Sequence, residues 1–409
     1  MHVLVAAHDL YPDAGSGGTG RYVYETGRRL VERGHRVTVV TRRRGSEPTR
    51  GSVAGMNVYR YDVRVADQSW PTVVRQLPNA ARAVASAVES AGRPDVFSVQ
   101  GHVIGLLCDR VVPDDVRRVP TFHSPWSVEY RLRTRNADRS PVRRRLNAEL
   151  RRGLERRLLA RSDQVVTLSA FMRERLRETQ PRLDVSVDVV PGGVDAERFS
   201  PDARPHPAMD ASGTRFLTVR RLSPRMGHAL LLEAFARATD GPDDGESPHL
   251  YVAGDGPLRE LLERRAHDLG LGDCVTFLGY IPDADLPGAY AAADAFVLPT
   301  TELEGFGLAT LEALAAGTPV LGTAVGGTVE LLSGLRDRSA MPSPVLVSPE
   351  RDALAAGLRE WMAADADALA AAGCAAREYV CEQYPWSRTV DALVGAYKRE
   401  APGTPITPV

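Results

Sequence analysis

Lysine is nearly missing from this sequence. Lys398 is the single one, so arginine supplies 50 of the 51 basic residues. Pyridoxal chemistry needs an internal lysine aldimine and finds only this residue in a polar C-terminal tail, while a Walker A loop lacks its Gly-Lys-[Ser/Thr] altogether. Cysteine is scarce as well. Cys108, Cys274, Cys374 and Cys381 are scattered without a C-x-x-C spacing, which excludes a zinc ribbon and a disulfide framework and fits a reducing compartment. No run of about 18 uncharged apolar residues occurs, because even 308–327 is broken by Glu312 and by glycine and proline, so no membrane-spanning segment is expected. An excess of either charge is missing too. With 51 basic against 52 acidic residues the chain is not built around a nucleic acid. The opening Val3-Leu4-Val5-Ala6-Ala7 is too short for a signal peptide and has no basic leader; it reads as a first buried strand, and a cytoplasmic location is expected.

What the sequence does hold is a large core. At 409 residues and 43% hydrophobic content it predicts a globular protein of two or three domains at roughly 150 residues each. Short β-branched runs at 2–7, 37–41, 95–100, 119–123, 164–168 and 187–190 read as strands, with helices such as 20–34 and 143–161 between them. The alternation then repeats. Strands are expected at 215–220, 249–253, 274–278, 295–299, 318–322 and 345–347, with helices near 228–238, 257–269, 306–316 and 351–364. Two parallel, Rossmann-like α/β sheets follow from this pattern. The proline-rich stretch 191–213 reads as the interdomain linker, giving domains over 1–198 and 199–384, a helix and tail over 385–409 that return to the first domain, and a cleft between the halves. The polar stretch 240–248 is expected to be a surface loop, and the alanine-rich run 353–376 a helix.

The first βα turn carries Gly15-Ser16-Gly17-Gly18-Thr19-Gly20, a literal match to GxGxxG. In a dinucleotide fold the glycines follow the strand at once, whereas here residues 8–15 intervene and the second strand ends in Arg42-Arg43-Arg44 without an acidic ribose ligand. An NADP site, with those arginines on the 2′-phosphate, stays as an alternative. The loop does offer glycine backbone, at Gly17 and Gly18, that an anion can approach at the start of a helix.

A second constellation lies in Pro299-Thr300-Thr301-Glu302-Leu303-Glu304-Gly305-Phe306-Gly307-Leu308-Ala309-Thr310-Leu311-Glu312. Glu304 and Glu312 flank a predicted helix N-terminus, where unpaired amides and the helix dipole favour a phosphate. One carboxylate can then accept from sugar hydroxyls and the other from ribose hydroxyls on either side of that phosphate.

With these residues the chain resembles the GT-B glycosyltransferases of family GT4, whose E-x7-E motif Glu304 and Glu312 match. Ordered matches run along nearly its whole length. They include Arg33-Gly34-His35-Arg36-Val37, Thr121-Phe122-His123-Ser124, Gly193-Val194-Asp195 through Phe199, Arg221-Leu222-Ser223-Pro224, Gly254-Asp255-Gly256-Pro257, Phe277-Leu278-Gly279-Tyr280 and Gly317-Thr318-Pro319-Val320. The resemblance implies a retaining, metal-independent transferase that uses no cofactor beyond a nucleoside-diphosphate sugar donor, UDP or GDP, bound mainly by the C-terminal domain. The acceptor would sit mainly on the N-terminal one. Glu304 would hold donor-sugar hydroxyls and Glu312 the ribose; Arg221 and the amides of Phe306, Gly307 and Leu308 would hold the diphosphate. Gly279, Tyr280 and Ile281 would flank the base, and His123 would face the sugar.

Three departures bear on the phosphate clamp. The family's Gly-Arg-Leu-x-x-x-Lys-Gly is here Arg220-Arg221-Leu222-Ser223-Pro224-Arg225-Met226-Gly227, so a glycine becomes Arg220 and a lysine Met226. The usual asparagine of Pro-Asn-Gly-Val-Asp is Gly192. A basic stretch, 131–161, holds twelve arginines against Asp138, Glu149 and Glu155; it is either a solvated helical face or a contact with an anionic acceptor or a peripheral membrane surface. Asp283/Asp285 and Asp365/Asp367 have metal-like spacing, but no metal is assigned to them. The expected function is transfer of a hexose-type sugar to a small molecule of specialised metabolism. Alternatives are transfer to a membrane-associated or anionic lipid acceptor, and a non-catalytic sugar-nucleotide-binding protein.

Overall fold

The computed structural model describes residues 1–13, 15–63, 70–135, 140–240, 247–336 and 341–398. The chain forms two units: Met1–Pro191 together with the segment that starts at Trp386, and Gly192–Pro385. Part of the polar stretch 240–248, part of the basic stretch 131–161, and the tail beyond 398 lie outside the described residues.

In the first unit the strand His2–Ala6 is central and buried along its length, as a parallel strand covered on both faces must be. Arg36–Arg42 pairs with it on one side and Val96–Val99 on the other, both parallel. Beyond Arg36–Arg42 lie Met56–Tyr61 and the edge strand Arg50–Val53, an antiparallel hairpin that the hydrophobic pattern does not reveal. Its turn uses Ala54 and Gly55, both at positive φ (48° and 79°); an alanine at the first position hides the usual Asn-Gly signal. The expected strand 119–123 is split. Arg117–Arg118 closes the main sheet and Thr121–Phe122 begins a separate three-stranded sheet with Val165–Thr167 and Val187–Val189. Pro120, between the two pieces, has no amide to continue a ladder. Leu4, Val40, Val84, Phe97, Ile104 and Cys108 form the core beneath the sheet.

The helix Trp386–Tyr397 belongs to this first unit. Its Trp386 ring lies 5.9 Å from Tyr22, Arg33 pairs with Asp391 at 2.7 Å, and the hydroxyls of Tyr397 and Ser98 are 3.2 Å apart.

In the second unit six parallel strands run in the order Val275–Gly279, His249–Ala253, Arg215–Val219, Ala295–Leu298, Val320–Thr323, Leu346–Val347. Phe216, Leu231, Phe235, Leu250, Val297, Leu321 and Trp361 pack its core, each such side chain contributing about 1.5–3 kcal/mol on full burial. The segment expected to be a linker is part of this unit's body. Phe199 is buried with its ring 5.8 Å from Tyr290, and Arg377 donates to the carbonyls of Ala196 and Phe199 at 3.0 and 2.8 Å. The first crossing between units therefore comes at Pro191, ahead of the proline-rich stretch. The alanine-rich run is two helices, Arg351–Met362 and Ala366–Gln383, because the Asp365 carboxylate caps a new start by accepting from the Ala368 amide at 2.7 Å.

Both sheets reverse their winding direction once. In the first, this happens between His2–Ala6 and Val96–Val99; in the second, between Arg215–Val219 and Ala295–Leu298. In open α/β sheets the carboxyl ends of strands at such a point are where ligands bind.

Candidate functional site

At the reversal of the second sheet, the residues leaving the two central strands meet. Arg220 directly follows Arg215–Val219, and Glu304 lies six residues past Ala295–Leu298. The Arg220 Nη2 is 2.6 Å from Glu304 Oε2, with both side chains more than nine-tenths buried. Thr300 Oγ1 donates to the same oxygen at 3.1 Å. Burial pushes the Glu304 carboxyl up, but the charges of Arg220 and Arg225 outweigh it and hold the group below the usual carboxylate range. Three buried polar atoms of this cluster have no protein partner among the described residues: Arg220 Nη1 and both ring nitrogens of His228. Burial, reinforced by the nearby Arg220 charge, lowers the His228 imidazole to about 3, so it is neutral at pH 7.

The loop that carries Glu304 is held by backbone. Leu303 sits at φ 55°, a left-handed conformation that costs a bulky residue roughly 1–2 kcal/mol, and Arg225 Nη1 donates to its carbonyl at 3.0 Å. The Gly327 amide donates to the Glu304 carbonyl at 2.9 Å. Gly326, at φ 61°, lies so close that a Cβ there would stand 2.2 Å from the Glu304 carbonyl oxygen. Gly307 caps the helix Leu308–Ala315, and the amides of Phe306, Gly307 and Leu308 donate to no backbone carbonyl among the described residues. Thr310 Oγ1, in the first turn, is buried and unpartnered. The result is a helix N-terminus with free donors, beside a carboxylate and a buried guanidinium.

Glu312 lies farther along that helix, where its Oε2 accepts from Tyr290 Oη at 3.0 Å. Burial and the adjacent carboxylate raise the tyrosine hydroxyl well above its ordinary range, so it remains a donor. Arg221 is exposed and makes no side-chain hydrogen bond or ion pair among the described residues, so the buried cation here is Arg220. Gly279 is at φ 69° and its carbonyl accepts from the Gly254 amide at 2.7 Å; Tyr280 is 74% exposed, while Ile281 is buried. Gly254 in turn packs on Arg220, where a Cβ would fall 2.0 Å from the carbonyl oxygen. Direct contacts thus join Arg220 to Glu304 and, through Gly254, to the Gly279 loop, while the 306–308 amides follow Glu304 in the chain. At Gly192 a Cβ would lie 2.9 Å from Phe306 and 3.0 Å from Leu308, so glycine suits the large side chains opposite it.

In the first unit, His123 Nε2 lies 2.7 Å from Gln100 Oε1, at the carboxyl end of Val96–Val99. The Gln100 amide nitrogen donates to Thr121 and Ser98, which fixes its oxygen toward the ring. Burial and the neighbouring His102 lower the imidazole to about 4. A neutral ring donating from Nε2 leaves Nδ1 as an acceptor. Tyr22, on the helix Gly18–Glu32, sets its ring edge-on to His123 at 5.4 Å, which brings the histidine beside the helix that Gly17 caps. Gly17 and Gly18 are exposed, and no acidic residue occupies the first turn. Two of the arginines considered for an NADP phosphate are engaged: Arg43 with Asp62 at 2.7 Å, and Arg44 with Asp9 and the Gly15 carbonyl. Of the acidic pairs with metal-like spacing, Asp283 binds Arg198 at 2.6 Å and Asp365 is the helix cap.

Sequence reasoning misses Gln100, Tyr22, His228, Tyr290 and the pair Gly326-Gly327. Only position after a strand signals Gln100; the others act through contacts distant in sequence.

Two α/β units built on mostly parallel sheets, one bearing a helix start with unpaired amides beside a buried ion pair, define the chain as a two-domain, Rossmann-like α/β protein. Residues 16–198 match the family described as Glycosyltransferase Family 4, and residues 201–378 the family described as Glycosyl transferases group 1. A D-inositol 3-phosphate glycosyltransferase of Geodermatophilus obscurus is 32% identical over 97% of this chain and 90% of its own length. A GDP-mannose-dependent phosphatidylinositol monomannoside mannosyltransferase of Mycobacterium tuberculosis is also 32% identical, over 58% of this chain, and the match spans 61% of that protein's length. The sucrose-phosphate synthase of Thermosynechococcus elongatus superposes with a TM-score of 0.76 at 23% identity, covering 97% of this chain and 98% of that one. The chain belongs to the family 4 glycosyltransferases, and its fold is GT-B. Among the described residues no helix is long and apolar enough to cross a membrane.

Proposed function

We propose that this protein is a retaining, metal-independent glycosyltransferase that moves a hexose-type sugar from UDP or GDP to a small-molecule acceptor. The observation that supports this reading is the cluster of buried, unpartnered polar atoms around Glu304. Each such atom costs about 1–3 kcal/mol, which hydroxyl and phosphate groups of a bound donor would offset. In this reading Glu304, kept ionised by Arg220, accepts from sugar hydroxyls, and neutral His228 completes that shell. Arg220 Nη1, Arg221 and the 306–308 amides meet the diphosphate, so protein cations and helix amides rather than a metal ion balance its charge. The Glu312 carboxylate, which Tyr290 orients, accepts from the ribose, and the 279–281 loop flanks the base. A purine or a pyrimidine fits this scheme, and the mycobacterial relative is by name GDP-mannose-dependent.

The reaction proceeds on the front face of the sugar. The acceptor hydroxyl attacks the anomeric carbon as the bond to the β-phosphate oxygen breaks, and that phosphate takes the hydroxyl proton. No side-chain nucleophile takes part. The neutral Nδ1 of His123 accepts from a substrate hydroxyl. A thermal-shift screen against UDP-, GDP- and dTDP-sugars tests donor binding; a true donor at 100 times its dissociation constant stabilises by about 2.7 kcal/mol. The anomeric configuration of the product, read by NMR, tests retention, and an inverted product or loss of activity on chelation would overturn the scheme.

A further inference from the structure

We propose that the helix Pro141–Leu159 docks this protein on the surface of an anionic lipid bilayer. Among the described residues seven large hydrophobic side chains are exposed, and three of them stand on this one helix: Val142 at 67%, Leu146 at 65% and Leu150 at 52%. They are spaced four apart, so they form a single stripe about 12 Å long at 1.5 Å per residue. The opposite face is firmly seated. It buries Ala148, Leu158 and Leu159, and the fully buried Glu155 carboxylate accepts from the Trp126 amide at 2.9 Å and from Gln180 at 3.0 Å, and pairs with His102 at 2.9 Å. The stripe is therefore held outward by a packed helix.

Charge accompanies the stripe. On a 3.6-residue helix, Arg143 borders one side of it, Arg145 the other, and Arg157 continues its line; all three are exposed. Glu149, the acidic residue on this face, pairs with Arg152 at 3.4 Å. Arg151 is turned away, its guanidinium 3.9 Å from the centre of the Tyr130 ring.

The occupant follows from this combination. A nucleic acid would engage the arginines and gain nothing from the leucines. A stable protein interface buries roughly 800 Å² per partner, more than three exposed side chains on one helix supply. A bilayer uses both features: the apolar side chains enter the acyl boundary while the arginines stay at the lipid phosphates. This docking is independent of the sugar chemistry proposed above.

Flotation of the full chain with liposomes of phosphatidylcholine and phosphatidylglycerol in equal parts, against phosphatidylcholine alone, tests it. Binding is expected to the anionic liposomes only, to weaken with salt, and to be lost in Leu146→Glu/Leu150→Glu. Arg143→Gln, Arg145→Gln and Arg157→Gln should each weaken it about fivefold. Thermal melts matching the parent will show that the variants fold, as exposed sites allow. The proposal falls if neither liposome recruits the protein, if phosphatidylcholine alone recruits it equally, or if the double leucine variant binds as before. A lipid-free dimer that Leu146→Glu dissolves, or nucleic acid binding that the arginine variants abolish while liposomes are ignored, overturns it equally.

Discussion

Arg220 and Glu304 form a buried ion pair, 2.6 Å between Nη2 and Oε2, that ties together the carboxyl ends of the two strands between which the second sheet reverses. The pair uses half of a guanidinium. Its Nη1 is left without a protein partner, in a place where a lone buried charge would be costly. Arg220 reaches this position because the strand ends at Val219, which frees the next side chain from the alternation of the pleat.

In the proposed scheme Arg220 supplies the charge that the family's lysine would bring at Met226. Met226 itself is buried and contributes no cation, and Arg225 is turned to the Leu303 carbonyl. Replacement of one charge-assisted contact, at about 1.5–3 kcal/mol, corresponds to about 10- to 150-fold in affinity. Titration calorimetry with the nucleoside diphosphate should therefore show Arg220→Gly weaker by that range and Arg220→Gly/Met226→Lys largely restored. Unchanged binding in Arg220→Gly would remove Arg220 from the phosphate site.

The two motif carboxylates should fail differently. Glu304→Ala spares Glu312 and leaves Arg220 to pair with the diphosphate itself, so turnover falls while nucleoside diphosphate is expected to bind within a few fold of normal. Glu312→Ala removes the ribose acceptor and strips Tyr290 of its partner, so nucleotide affinity drops and stability falls by about 1–3 kcal/mol. Tyr290→Phe provides the control, since it keeps the carboxylate. Equal loss of nucleotide affinity in both alanine variants would contradict the division of roles.

Much of this was legible from residue pattern. Continuous apolar runs such as Val3-Leu4-Val5-Ala6 mark buried parallel strands because no face of them meets water, and the helix start after Gly307 is written in the glycines around Phe306. What escaped was set by distance. Arg220 stands in the sequence as a candidate phosphate cation only if its strand ends before it, which the ladder's end at Val219 provides; its pairing with Glu304 is the part the sequence hides. Gly326 and Gly327 look like an ordinary turn until the Glu304 backbone is found against them. The 50–61 hairpin escaped for a local reason: Gly51, Ser52 and Asn57 break the alternation that would have marked it.

Acid should weaken the fold through His228. The unfolded chain takes up this proton near pH 6.5, but the buried ring does not until about 3, so the contribution is complete above 6.5 and is lost as pH falls through that window. The slope is about 1.4 kcal/mol per pH unit. Urea denaturation of the parent and of His228→Gln across this range should give a flatter dependence for the variant by that amount. Parallel slopes would mean that the ring reaches solvent in the folded state.

Gly326 offers the sharpest separation of geometry from stability. Its φ of 61° alone makes any side chain there strained, and its Cβ would meet the Glu304 carbonyl oxygen at 2.2 Å, a backbone atom that cannot rotate aside. Gly326→Ala must therefore displace the Glu304 loop, and with it the carboxylate that Arg220 and Thr300 hold. Gly34 is the matched control, with φ 78° but nothing within 4 Å of a Cβ, so Gly34→Ala should cost only the left-handed strain of roughly 1–2 kcal/mol. A misplacement of 1 Å at a reacting centre costs about 100-fold in rate. Gly326→Ala is expected to lose at least that much turnover at temperatures where its melting curve still shows a folded protein, while Gly34→Ala retains parental turnover. If the two variants lose activity only in step with their melting temperatures, the Gly326 contact is structural support and does not set the position of Glu304.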